Sequence, residues 1–78
     1  MNSYSVDTVA LRKIMFENGY NTITSLAVKA KISRNTLGKV LDGSLRPSVE
    51  VMDKLVYALK LSPEISGAVF FADNLRIT

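Results

Sequence analysis

The sequence predicts an all-helical single domain built from five short helices, and three observations carry that prediction. Apolar residues recur at helical spacing along most of the chain. Ser, Thr or Asp stands ahead of each such segment, with two candidates ahead of the first and of the second, supplying the side-chain acceptor that a helix start requires. Gly19 and Gly43 follow the first and third segments, where glycine stops a helix, and no stretch reads as a convincing strand.

Each element follows from these signals. The first helix starts at Ser5 or Asp7 and turns Val6, Ala10, Leu11, Ile14 and Met15 inward until Gly19. The second starts at Thr22 or Thr24 and runs to about Ala30, with Leu26, Ala27 and Ala30 on one side. Ile32 plugs the corner that follows, and Ser33 caps a third helix from Arg34 to about Asp42 by accepting the N–H of Thr36. Leu37, Val40 and Leu41 are its apolar stripe, which leaves Arg34, Asn35 and Thr36 as an exposed first turn. After the loop Ser44-Leu45-Arg46-Pro47, Ser48 caps a fourth helix. Its Val49, Met52, Leu55, Val56 and Leu59 give the clearest helical period in the chain. Ser62 caps the fifth, with Pro63 at the first helical position, where a missing N–H costs nothing.

Composition bounds the rest. A chain of 78 residues without cysteine or histidine must be stabilised by apolar packing alone, and one domain over 1–78 is expected, without cofactor or metal. An apolar fraction of 47% and a positive mean hydropathy predict more apolar surface than a lone monomer hides, hence an oligomer. No apolar run spans a bilayer, and Met1 to Ala10 has no signal-peptide character, so a soluble intracellular protein is expected. The net charge of +3 is concentrated: Lys29, Lys31, Arg34, Lys39 and Arg46 face only Asp42 within the central hairpin. That hairpin therefore presents a polyanion with a basic patch. Enzyme chemistry is disfavoured, because there is no histidine or cysteine, no glycine-rich phosphate loop, and no evident pair among the scattered acids.

The Leu26-Ala27 pair, Ala30, the Ile32-Ser33 corner, Thr36-Leu37, Asp42-Gly43, Arg46-Pro47-Ser48 and the Ala58-to-Ser62 run together resemble the phage repressor-like helix-turn-helix family of Cro, CI and xenobiotic-response-element regulators. The resemblance covers about residues 8–66. It implies a compact five-helix lambda-repressor-like domain with its motif at about 23–42 and its third helix in the major groove of double-stranded DNA. It further implies a phage or mobile-element transcriptional repressor, cytoplasmic in a bacterium, that binds a palindromic operator as a homodimer and associates with the nucleoid when DNA-bound. Three positions depart from the family pattern. Ile23 stands where glutamine commonly holds the DNA backbone, Lys31 where glycine commonly provides a positive-φ turn, and Met15 where the first helix commonly carries arginine.

Carried onto this chain, the family's base-reading positions are Arg34, Asn35, Thr36 and Lys39. Arginine can grip guanine O6 and N7, and asparagine adenine N6 and N7. Thr22, Thr24, Ser44, Arg46 and Ser48 fall where the family meets the sugar-phosphate backbone, contacts that position without specifying. Gly38, inside the third helix, costs about 1 kcal/mol against alanine and suggests a close approach by DNA or by the second helix. The segment 62–78 is a candidate dimerisation tail, with Val69, Phe70 and Phe71 as interface residues. At least one phenylalanine is expected at an interface, the competing expectation being that both close the core. A rival function keeps the fold but binds another regulator, as an antirepressor or antitoxin does; loss of the usual glutamine and arginine and the apolar tail favour it.

Overall fold

Five side-chain oxygens start five helices. Asp7 accepts the N–H of Ala10 at 3.0 Å and opens α1 (Thr8–Glu17). Thr22 opens α2 (Ile23–Ala30) through a reciprocal box in which its hydroxyl accepts the Ser25 N–H and the Ser25 hydroxyl accepts its own. Ser33, Ser48 and Ser62 cap α3 (Arg34–Leu41), α4 (Val49–Leu59) and α5 (Pro63–Phe70), each accepting the N–H three residues on. Of the competing starts, Asp7 and Thr22 are the ones used. The computed structural model describes residues 4–73.

The apolar stripes meet in one core. Leu11 and Met15 of α1, Leu26, Ala27 and Ala30 of α2, Leu37, Val40 and Leu41 of α3, and Leu55, Ala58 and Leu59 of α4 are all buried, with Ile32 filling the corner between α2 and α3. No polar or charged residue is buried as a whole among the described residues, although the Ser66 hydroxyl of α5 is enclosed without a hydrogen-bond partner. Met15, standing where the family commonly has arginine, is 1% exposed and is a core residue. α2 packs on both α3 and α4, α1 packs on α3, and α5 returns to α1. Val69 and Phe70 of α5 complete the core.

Two expectations need correction. Val49 was expected inward but is 69% exposed. A stripe at helical spacing sets which side of α4 faces the core, not how far along it the neighbours extend, and Ala58 takes a buried place instead. Two short strands, unexpected from the sequence, also exist: β1 (Tyr4–Ser5) and β2 (Ala72–Asp73) pair antiparallel, Tyr4 opposite Asp73 and Ser5 opposite Ala72. Two residues are too few to show a period. The pairing exists because α5 brings the end of the chain back beside its start, where Asp7 N–H also donates to Val69 O at 2.7 Å.

Candidate nucleic-acid interface

The turn that aims α3 is set by its backbone. Lys31 ends α2 at φ 60° and ψ 45°, the left-handed conformation. Ile32 N–H then donates to Ala27 O at 3.0 Å and Lys31 N–H to Val28 O at 3.3 Å, the paired bonds of a Schellman stop, which satisfy carbonyls the helix leaves free. The positive φ expected at this position is therefore present, on a lysine instead of a glycine. With Ile32 buried, the chain leaves the corner in one direction and Ser33 starts α3 immediately.

With Leu37, Val40 and Leu41 fixed in the core, the opposite side of α3 must face outward. Arg34, Asn35 and Lys39 are exposed there and line one shallow open groove together with Gly38. Arg34 Nε donates to Thr24 Oγ1 at 3.0 Å, so the second helix holds the arginine in place beside the groove. Thr36 differs from its neighbours. It is half-buried, outside the groove, and its Oγ1 pairs with Ser33 Oγ at 2.8 Å as part of the cap.

Gly38 has nothing within 4 Å of the place a Cβ would occupy. The second helix does not approach it, so that explanation of the glycine is excluded; the open space is on the groove side. Ile23, the first residue of α2, is half-buried against the core and also lines the groove, an apolar floor where the family has glutamine.

The residues around the groove are already engaged with one another. Asp42 Oδ1 accepts both the hydroxyl and the N–H of Ser44, at 2.6 and 2.9 Å. Those bonds, and then the positive charges of Arg12 and Lys39, hold the Asp42 carboxyl below its ordinary range. The Ser44 hydroxyl is thus committed to shaping the loop. Thr22 and Ser48, outside the groove, each accept an N–H as caps, which leaves their hydroxyl hydrogens for a phosphate. Arg46 stands apart from the groove, its Nη2 donating to the carbonyl of Tyr4 in β1. One arm of its guanidinium is anchored there, leaving further N–H donors of the fork for a phosphate.

Sequence reasoning missed Arg12. From α1 its Nε donates to Leu41 O at 3.2 Å, capping the end of α3, and it lines the groove with Arg34 and Lys39. No local signal could have found it, because the partner lies 29 residues away. The tail requires a further correction. Val69 and Phe70, expected at an interface, are 2% and 3% exposed within the chain's own core, because α5 folds back on α1. Phe71 alone of the three is exposed, and its ring meets Tyr4 edge-on at 6.4 Å.

Among the described residues no helix is long and apolar enough to cross a membrane, and no cluster of metal-ligating side chains occurs. No curated protein and no solved structure matches this chain. Residues 10–64, from within α1 to the first two residues of α5, match the family model of the Cro/C1-type HTH DNA-binding domain. That match covers well over half of the chain, and the chain belongs to this Cro/C1-type family of DNA-binding regulators.

Proposed function

We propose that the chain is a sequence-specific transcriptional repressor of phage or mobile-element type that seats α3 in the major groove of a palindromic operator. One observation carries this reading: Arg34, Asn35 and Lys39 share the outer face of a helix whose inner face is immobilised by Leu37, Val40 and Leu41. Rigid placement of the readers is what converts hydrogen-bonding side chains into base discrimination. In this reading Arg34 and Asn35 touch base edges, Lys39 reaches a base or phosphate, and Arg12 and Arg46 hold the backbone. Thr24 positions Arg34 by accepting its Nε–H and keeps its own hydroxyl hydrogen for a phosphate.

A single reading helix covers only a few base pairs, so we further propose a two-fold dimer on half-sites about 34 Å apart. The surface that supports it is the exposed pair Tyr4 and Phe71, beside a depression to which Pro47, Val49 and Met52 contribute.

Selection of bound sequences from random duplexes tests the reading. A palindromic consensus is expected, and Arg34→Ala or Asn35→Ala should cost about 1 to 3 kcal/mol on it while relaxing preference at one position. Arg46→Ala should instead weaken all duplexes alike and reduce the salt dependence. Equal loss on selected and random DNA for Arg34→Ala would contradict base reading.

A further inference from the structure

A second surface, formed by the outer sides of α2 and α4, shares none of the residues of the reading groove. Tyr57 stands on it 80% exposed. Two adjoining depressions share Tyr57 and Lys29. One continues to Lys60, the other to Lys31 and Lys54. Four lysines thus frame one aromatic ring. Lys54 is tied down, paired with Glu50 at 3.3 Å and donating to Lys31 O at 3.2 Å. Lys29, Lys31 and Lys60 form no ion pair among the described residues, and Asp53 is the one acid lining either depression.

The backbone supplies an independent observation. Among the described residues, only Lys31 and Lys60 adopt positive φ without being glycine, at 60° and 56°, and both border this surface. Each ends a helix in the left-handed conformation that glycine adopts freely and a lysine adopts under strain. Attraction of a cation to the negative end of its own helix offsets part of that strain. Because the two helices that these lysines end pack on each other, both lysines come to border the same exposed tyrosine.

We propose that the surface made by Lys29, Lys31, Tyr57 and Lys60 docks an acidic segment of a partner protein. An apolar side chain of that segment sits against Tyr57 and its carboxylates lie over the lysines. Charge complementarity selects the occupant: an array of unpaired cations around an exposed ring fits an anionic chain that also carries apolar groups. A duplex backbone offers phosphates but nothing apolar to cover Tyr57. Because the reading groove is built from other residues, DNA and this partner can be held together, and the proposal stands independently of which bases α3 reads.

The test is an NMR titration of the 15N-labelled chain with the octapeptide Glu-Asp-Phe-Glu-Asp-Leu-Glu-Asp. Amide shifts are expected at Lys29, Lys31, Tyr57 and Lys60. The neutral analogue with Gln and Asn in place of the acids should bind at least tenfold more weakly, as should Y57S and K60Q towards the acidic peptide. Y57S should melt as the unmutated protein does and bind a random duplex equally well. The proposal is overturned by absence of binding, by equal binding of the neutral analogue, or by shifts confined to Arg34, Asn35 and Lys39, which would mean that the peptide merely imitates DNA. It is equally overturned if Y57S weakens duplex binding, which would make the surface part of the nucleic-acid contact.

Discussion

The helices α3 and α5 follow nearly the same local plan and are put to different uses. Each has eight residues, begins behind a serine that accepts the N–H three residues on, and carries glycine at its fifth position with open space beside it. What separates them is the exposed face. α3 shows Arg34, Asn35 and Lys39 around a groove, whereas α5 has Glu64 as its one charge and shows Ile65 and then Phe71 to solvent. Local rules therefore set where a helix begins and ends. Its use is decided by the chemistry left outside once the core has taken its share.

The largest effect should come from dividing the tail of α5. Phe70→Ala removes a buried ring that helps close the core and should cost about 3 to 5 kcal/mol, enough to unfold much of a small domain. Phe71→Ser should cost less than about 1 kcal/mol in urea denaturation, yet shift sedimentation from dimer to monomer and weaken binding to a palindrome. If both variants melt alike, Phe71 belongs to the core and the proposed dimer surface is lost.

The paired glycines sharpen the comparison. Neither Gly38 nor Gly67 has a neighbour that an added Cβ would strike, so alanine at either should stabilise the chain by up to about 1 kcal/mol in thermal melts. Only Gly38→Ala should also weaken DNA binding, because only Gly38 lines the groove. Equal DNA affinity for the two variants would mean that the duplex does not approach α3 at its fifth residue.

The lysines that end α2 and α4 test the stops themselves. Lys31→Gly and Lys60→Gly relieve a left-handed side chain and should each raise stability by somewhat less than about 1 kcal/mol, since a more flexible unfolded chain offsets part of the gain. A fall in melting temperature for either would show that its charge matters more than its backbone.

The smallest effect concerns the exposed loop after α3. The Asp42 carboxyl is held below its ordinary value of 3.8 chiefly by the Ser44 hydroxyl and N–H. The folded form therefore gains stability that is fully present above that value and is lost as pH falls through the lowered folded one. Ser44→Ala should melt slightly below the unmutated protein at neutral pH, and the gap should close in acid. A gap that persists at pH 2 would assign the effect of Ser44 to packing.

Much of the fold was legible because its determinants lie within a few residues of one another. Ser33, Ser48 and Ser62 cap where their spacing to apolar stripes predicted, and Lys31 takes the positive φ expected of its place in the turn. Arg34, Asn35 and Lys39 were legible as one exposed face for the same reason, a helical period read against a buried stripe. Legibility ended where contacts join distant segments. Arg12 reaches Leu41 O across 29 positions and Arg46 reaches Tyr4 O across 42, and neither guanidinium carries any sequence mark of its carbonyl partner.

By itself, then, the sequence determined the helices, their stops and the polarity of their faces, since capping, periodicity and left-handed stops are satisfied within one or two turns. Tertiary structure alone decided which apolar residues were covered. Val49 and Phe71 remain outside while Val69 and Phe70 go in, although nothing in their chemistry distinguishes them. It also decided the β1–β2 pairing and the groove that gathers Arg12, Arg34 and Lys39. Burial depends on what another part of the chain places opposite a residue, and that is settled only when the stripes of all five helices must fill one volume together.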